Sequence, residues 1–218
     1  IIEAFLKNIS SEIKWIDLCL NPASLPQTDE FPIKPRTNFV LDLSDQYDKI
    51  KARYRTNHIR NIQRAQQAGC RIDRHIDPKQ IFELAEQFLG PRKLFPAQHK
   101  SAFLELADKW VRNGHACTYG IRIGEQVVAS ALFLLYKNRA YYLLIGNHPN
   151  GKTVGASHAL IDAFIQDHAG REIMLDFEGS DAPSLAFFYE GFGSQKEYFG
   201  WLRIDRLPKL ISWLKKLR

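Results

Sequence analysis

The chain has 218 residues, of which 45% are hydrophobic and 25% are charged. This composition is ordinary for a soluble protein with one generous core or two modest ones, and we expect it to fold unaided. No apolar run approaches the roughly 18 residues that a membrane helix needs. Three cysteines without paired spacing (Cys19, Cys70 and Cys117) argue against a disulfide framework or a zinc site and favour a cytoplasmic location.

The net charge of +6 is concentrated in one segment. Between Lys49 and Arg74 there are eight basic residues and a single acid, Asp73, which leaves a net charge of −1 for the rest of the chain. A local field of this sign attracts phosphates, anionic lipid or nucleic acid.

Residues 1–43 are predicted to form a short helix, a strand "WIDLCL", a proline-rich turn region and a strand "NFVLDL". This is too little to bury a core alone. We therefore expect these residues to extend a sheet or to be the remnant of a preceding half. The start at Ile1, without an initiator methionine or a signal peptide, indicates a piece of a longer polypeptide.

A helix is predicted from a cap at Ser44 or Asp45 to a C-terminal Gly69. Its residues follow helical spacing on two sides, one apolar and one basic. The apolar side carries Tyr47, Ile50, Tyr54, Ile62 and Ala65, and the basic side carries Lys49, Arg53, Asn57, Arg60 and Arg64.

The remaining segments alternate in the order β-α-α-β-β-β-α-β-α-β. Three strands joined by tight links indicate an antiparallel meander. The pattern predicts an α/β (α+β) fold, with a mixed, mostly antiparallel central sheet and helices on both faces. The strands are "CRIDRHI", "ACTYGIRI", "QVVASALFLLYKN", "AYYLLIGN", "EIMLDFEGS" and "KEYFGWLRI"; helices open at Asp77-Pro78, near Gln98, after "GKTVGAS" and at "APSLAFFYEGF", and a basic helix at 207–218 ends the chain.

The segment "GKTVGAS" lies between an apolar strand and an amphipathic helix. A glycine in such a turn allows a phosphate to approach the backbone, and free N–H groups at a helix start hold negative charge. The segment resembles the acyl-CoA loop of the GNAT acyltransferase superfamily, Gln/Arg-x-x-Gly-x-Gly/Ala. Lys152, Gly155 and Ser157 stand at the matching positions, and only the glycine is strict. The resemblance implies that Lys152, Thr153, Val154, Gly155, Ala156 and Ser157 bind acyl-CoA; the alternative is an ordinary loop glycine and helix cap.

Within that superfamily the chain resembles the Fem-type branch, which includes aminoacyl-tRNA-dependent peptidoglycan transferases and uncharacterised bacterial relatives built from two GNAT-like halves. The resemblance rests on "YRTNHIRNIQRAQQAG", "LDFEGS" and "FFYEGFG", and it implies a GNAT-like domain over 44–206 with 1–43 as the tail of a first half. Where the peptidoglycan enzymes usually carry Phe-Lys, this chain has Phe188-Tyr189. Tyrosine is the residue that CoA-using GNAT enzymes place there.

Acyl transfer to an amine needs a proton acceptor for the amine, a polarised carbonyl and a proton donor for the thiolate. By resemblance Tyr189 is the proton donor, or else a packing tyrosine of an aromatic cluster. Asp176 and Glu178 are two apart on a strand and face one side; Glu178 is the preferred base, and a salt bridge to the basic helix is the alternative. His148 is a second candidate base.

A bulge near Ile145 and Gly146, where GNAT folds have one, would let backbone amides polarise the acyl carbonyl. No metal is expected, because Asp176, Glu178 and His148 lack close ligand spacing. The expected function is N-acyl transfer from acyl-CoA, such as acetyl-CoA, to an amine on a small molecule or peptide. The alternatives are aminoacyl-tRNA-dependent transfer to a cell-wall precursor, with tRNA or an anionic surface on Lys49, Arg53, Arg60 and Arg64, and a non-catalytic module that binds an anion or a partner.

Overall fold

A computed structural model describes residues 2–21, 25, 30–88, 96–179 and 181–208. The chain divides into two compact units. The smaller comprises residues Ile1–Asn38, Gly179–Asp181 and Lys196–Arg218, and the larger comprises Phe39–Glu178 and Ala182–Gln195. The last ten residues, where most of the basic helix at 207–218 was predicted, lie outside the described residues.

The smaller unit contains helix α1 (Ile2–Lys7), strand β1 (Trp15–Leu20), the first part of β2 (Ile33–Asp42) and most of β8 (Gln195–Asp205). Strand β1 pairs with β8 in antiparallel register, and Leu6 of α1 packs against both strands through a small apolar core. Helix α1, strand β1 and the start of β2 thus share a core with β8. That 1–43 are the tail of a preceding half stays a prediction.

The larger unit contains the rest of β2 and a sheet in the order β2-β7-β6-β5-β4-β3. Every recorded pairing is antiparallel except the parallel pair of β6 and β7. The strands are β3 (Arg71–Asp73), β4 (Ala116–Ile123), β5 (Gln126–Tyr136), β6 (Arg139–Asn147) and β7 (Met174–Asp176). The mostly antiparallel mixed sheet and its β4-β5-β6 meander confirm the prediction.

Helices cover both faces of this sheet, as the sequence predicts. Adjacent residues of β5 show it: Leu132 belongs to a core with α4 and α5, and Phe133 to a core with α3 and α7. The helices are α2 (Tyr47–Lys51), α3 (Thr56–Gln67), α4 (Pro78–Phe88), α5 (Lys100–Arg112), α6 (Pro149–Val154), α7 (Ala156–His168) and α8 (Pro183–Glu190), with a 3-10 turn at Ala97–His99.

The predicted helix from Ser44 to Gly69 is two helices. Arg55 has an extended backbone, and its N–H donates to the carbonyl of Gly191 at 2.8 Å instead of to the preceding turn. The apolar and basic sides are nevertheless as predicted, since Ile50, Ile62 and Ala65 are buried. The basic residues Lys49, Arg53, Arg60 and Arg64, which we call the basic stripe, are exposed.

Two predicted strands are shorter than their sequence patterns. Strand β3 ends at Asp73, whose carboxylate accepts the N–H of His75 at 3.1 Å. Strand β7 ends at Asp176, whose carboxylate accepts the N–H of Glu178 at 2.8 Å. In both places the backbone N–H donates to a nearby side chain instead of to the neighbouring strand, and the chain turns away from the sheet.

Candidate active site

Strands β6 and β7 separate after a short parallel ladder. They pair only at Arg139 with Met174, Ala140 with Leu175 and Tyr141 with Asp176. Strand β6 continues to Asn147, while β7 has already ended. The second half of β6 therefore borders a gap in the sheet.

A β-bulge in β6 lies at the start of this gap. The register with β5 shifts between Leu132–Leu144 and Phe133–Tyr142, so Leu143 is the extra residue. Because one inserted residue exchanges the two faces of a strand, Tyr142 and Ile145 point to the same side. The bulge was predicted near Ile145 and Gly146 and lies two residues earlier.

The two amides that were predicted to polarise a carbonyl face in different directions. His148 donates its N–H to Val128 in β5. The alternation of an antiparallel ladder then directs the N–H of Gly146 to β5 and that of Ile145 to the gap. Gly146 is a glycine because α4 is close: a Cβ there would lie 2.9 Å from that of Leu84.

The segment predicted as a loop forms helix α6, a left-handed turn at Gly155 and the start of α7. Gly155 has φ 79° and its carbonyl accepts the N–H groups of His158 and Ala159. Within the described part of the chain, the N–H groups of Ala156 and Ser157 have no hydrogen-bond partner. They are the unpaired donors that every helix start has, at the positive end of the α7 dipole.

A cavity of about 240 Å³ lies between the gap, this turn and α8. Most of the described surface that lines it is apolar or aromatic. Its lining residues are Tyr142, Ile145, Asn147, Lys152, Gly155, Ser157, His158, Leu185, Phe188 and Tyr189.

Five of the residues predicted to hold the donor or to act on it line this cavity together. They are Ile145, Lys152, Gly155, Ser157 and Tyr189. Lys152 is exposed, and the hydroxyl of Ser157 donates to Asn147 at 2.7 Å. The other four predicted binding residues, Gly146, Thr153, Val154 and Ala156, do not line it with their side chains, although the amide of Ala156 lies at the start of α7.

Gly155 has a neighbour that its motif does not predict. A Cβ at this position would lie 2.5 Å from the carbonyl oxygen of Asn61 in α3. The glycine thus allows two helices to approach each other, in addition to the left-handed turn that it permits.

Tyr189 is buried on α8 within an aromatic cluster. Its ring stacks on Phe177 with centroids 4.6 Å apart and lies 6.0 Å from that of Phe39. Burial raises the pKa of Tyr189 to about 12, so the hydroxyl holds its proton at neutral pH. The residue packs in an aromatic cluster and also lines the cavity, and its role as the proton donor stays a prediction.

Asp176 and Glu178 do not line the cavity. Phe177, which lies between them, packs on Tyr189, so the flanking Asp176 side chain points to the opposite face of the sheet, where it accepts from Arg139 at 2.7 Å. Glu178 follows the end of the strand with φ 62° and is partly exposed. Partial burial, and then the charge of Asp176, raises the pKa of Glu178.

His148 caps helix α6 and is not part of the cavity lining. Its Nδ1 accepts the N–H of Asn150 at 3.1 Å, and its ring meets that of Phe88 edge-on. Among the described residues, no three His, Cys, Asp or Glu side chains are grouped as a metal site would need.

The other five lining residues, which include Asn147 and His158, were not predicted as site residues. Asn147 is the polar end of an apolar strand, and His158 is the third residue of α7. A helical side chain leans back toward the N-terminus of its helix, so a polar residue three positions after the motif glycine is a signal that could have identified His158.

The basic stripe is partly neutralised. Arg53 pairs with Asp45 at 3.0 Å. For Lys49, Arg60 and Arg64, the described residues provide no carboxylate partner within salt-bridge distance, although Arg64 contacts the amide of Asn61 at 3.4 Å.

In the described ranges no helix is both long and apolar enough to cross a bilayer.

Solved structures share this fold. FemX superposes with a TM-score of 0.61 at 12% identity, over 90% of this chain and 67% of that chain. L-PGS from Bacillus licheniformis gives 0.55 at 13%, over 92% and 65%, and the C-terminal domain of a putative lysylphosphatidylglycerol synthetase from Agrobacterium fabrum gives 0.55 at 10%, over 90% and 63%. The chain spans about two thirds of the length of these proteins, and at such identities the likeness shows the fold alone.

A search of curated protein sequences found no match. A family model described as an acetyltransferase (GNAT) domain matches residues 52–184, which is more than half of the chain. This range includes the gap, the bulge and the turn at Gly155. The chain therefore belongs to the GNAT acetyltransferase domain family, with a fold that it shares with FemX.

Proposed function

We propose that this protein transfers an acyl group from acyl-CoA to an amine by direct attack. One observation carries the proposal: the unpaired N–H groups of Ala156 and Ser157 lie beside a cavity that opens onto the gap between β6 and β7. A helix start of this kind binds phosphate oxygens, and a gap in the sheet gives a thioester access to backbone amides.

Each residue of the cavity has a role in this proposal. The amides of Ala156 and Ser157 and the ammonium of Lys152 hold the diphosphate. The amide of Ile145 polarises the acyl carbonyl. When the amine nitrogen bonds to the carbonyl carbon and the carbon–sulfur bond breaks, Tyr189 gives its proton to the departing thiolate.

The amine reaches the carbonyl from the other face of the sheet. Asp176 lies on that face and Glu178 follows it, so neither is beside Tyr189. In the proposal Glu178 takes the proton of the amine through the gap, and its raised pKa makes it a stronger base than an ordinary carboxylate. Asp176 raises that pKa and, through its bond with Arg139, fixes the end of β7.

The lining of the cavity favours an uncharged acyl group. Its described lining contains no carboxylate, and its one fully charged side chain is the cation Lys152. An aminoacyl group carries an ammonium, which would be buried here without a partner. Acetyl or another small neutral acyl group suits this surface better, and we place the reaction in the cytoplasm, where CoA esters are available.

Binding of acetyl-CoA to the purified protein tests the donor. We expect a rise in melting temperature that grows with ligand concentration. Lys152→Glu should weaken the affinity by about ten-fold or more, because it reverses the charge beside the diphosphate. Lys109→Glu, the same change on the exposed side of α5, is the matched control and should bind as the wild type does.

Release of the CoA thiol in the presence of a panel of amines tests the transfer. No thermal shift with any acyl-CoA, under conditions in which another GNAT enzyme responds, would contradict the proposed donor. Binding without thiol release by any amine would favour the non-catalytic module.

A second candidate is aminoacyl-tRNA-dependent transfer to a cell-wall precursor, carried out by a longer polypeptide with a preceding half. The observation that favours it is the exposed charge of Lys49, Arg60 and Arg64, for which the part of the chain that the structure describes supplies no carboxylate partner. Salt-sensitive tRNA binding that is lost on replacing these three residues with glutamate would support it. Acetyl-CoA turnover without tRNA binding would reject it.

A further inference from the structure

His158 lines the cavity from the first turn of α7. Two aromatic neighbours hold its ring edge-on, His58 at 4.6 Å and Phe188 at 4.8 Å between centroids. The plane of the imidazole is therefore fixed by packing, and its two nitrogens have defined surroundings.

The amide of Asn61 determines which nitrogen carries the hydrogen. Its Nδ2 donates to the carbonyl of Asn57 at 2.9 Å, and its Oδ1 accepts from Arg64 at 3.4 Å. Both contacts fix the same orientation of the amide, which leaves Nδ2 at 3.5 Å from Nε2 of His158. Because an amide nitrogen only donates, Nε2 accepts, and the hydrogen of the neutral ring is on Nδ1.

The surroundings also keep the ring neutral. Burial, and then the neighbouring His58, lowers the pKa of His158 to about 4. His58 is itself buried, and its Nε2 lies 2.8 Å from the carbonyl of Phe188, an acceptor that requires a hydrogen on that nitrogen. His158 thus presents an uncharged donor at neutral pH, with its lone pair directed at Asn61.

This geometry excludes His158 as the base and leaves one polar atom for a ligand. The Nδ1–H of His158 has no partner among the described residues. Its side chain leans toward the start of α7, where the amides of Ala156 and Ser157 are unpaired. We propose that His158 binds acyl-CoA: its Nδ1–H donates a hydrogen bond to a diphosphate oxygen of the cofactor. This inference rests on the proposed function.

Three substitutions separate the effect of the position of the N–H group from the effect of the bulk of the ring. Asparagine places an N–H near the site of Nδ1, glutamine places one near that of Nε2, and phenylalanine keeps the ring without a donor. By titration calorimetry with CoA, His158→Phe and His158→Gln should lose about ten-fold in affinity or more, as expected for a hydrogen bond to a charged group. His158→Asn should retain most of the wild-type affinity.

Nitrogen-15 NMR of the histidine rings gives an independent measurement on the wild type. We expect the Nδ1–H form for His158, with an Nδ1 signal that shifts when CoA is added. His168 is the internal control, since its Nδ1 lies 2.9 Å from the carbonyl of Phe164 and must also carry hydrogen. Its signal should not shift.

The outcomes distinguish this inference from the proposed function. Wild-type protein that binds no CoA would overturn both. Wild-type binding that His158→Phe leaves unchanged, in a variant with an unaltered melting temperature, would overturn the role of His158 alone. An Nε2–H form for His158 would overturn it as well.

Discussion

The hydroxyl of Tyr189 can be tested without disturbing its ring. Phe177 and Phe39 pack against the ring, which is 4% exposed, so Tyr189→Phe retains these contacts. We expect kcat for transfer from acetyl-CoA to fall by about 10²-fold, because the thiolate loses its proton donor. The affinity for CoA should change by less than about two-fold. Thiol release and titration calorimetry measure the two quantities.

Tyr198→Phe is the control for this experiment, since Tyr198 is exposed and outside the cavity. It should leave kcat unchanged. An unaltered kcat in Tyr189→Phe would instead mean that this residue only packs.

At the residue scale, motif and pattern predicted part of the site. Tyr189 and Gly155 followed from short motifs, because a helix start and a glycine turn are local features. Asn147 did not, since its place in the cavity depends on which strand end faces which helix. His158 was missed, although its spacing from the motif glycine is a local signal. Glu178 was expected on a strand, facing the same side as Asp176. The strand instead ends at Asp176, and the ring of Phe177 occupies the face toward Tyr189.

At the element scale, the turn between α6 and α7 depends on close contact with α3. An alanine at Gly155 would combine a left-handed backbone with a Cβ 2.5 Å from the carbonyl of Asn61. We expect Gly155→Ala to lower the free energy of unfolding by roughly 2–4 kcal/mol. Gly114→Ala is the matched control: its φ is 72°, yet nothing lies within 4 Å of an added Cβ. It should cost only about 1 kcal/mol.

Chemical denaturation of both variants measures this difference. Equal losses would show that backbone conformation alone accounts for Gly155, and that α3 can move away from the turn without penalty. A larger loss of stability at Gly155 would also mean that a bulky substitution there cannot test phosphate binding, because it would disrupt the contact between α3 and the turn as well.

The order of the elements was predictable, and their ends were not. Apolar alternation and turn residues gave the meander of β4, β5 and β6. The break before α3 depends on a bond from Arg55 to Gly191, and the end of β7 on a bond between Asp176 and Glu178. The bond from Arg55 to Gly191 joins distant positions of the chain, so no local sequence pattern predicts it.

At the scale of the whole molecule, buried histidines couple stability to pH. Burial is the first cause that lowers the pKa of His58, His158 and His168. A group whose folded pKa is lower than its unfolded value of about 6.5 contributes stability above that pH, and the contribution is lost as the pH falls. The raised pKa values of Asp162 and Glu178 act in the opposite direction, since their contribution is lost as the pH rises.

Substitution of His158 isolates the contribution of this residue to the pH dependence of the unfolding free energy. His158→Phe removes a group that titrates near pH 4 when folded and leaves the opposing carboxylates in place. Between pH 7.5 and pH 5 the wild type should therefore lose about 2 kcal/mol more unfolding free energy than the variant does. Urea denaturation at the two pH values measures both losses, with His115→Asn on the exposed surface as a control that should behave as the wild type. Equal losses in wild type and His158→Phe would mean that the ring accepts a proton without penalty, which is incompatible with its packing against His58.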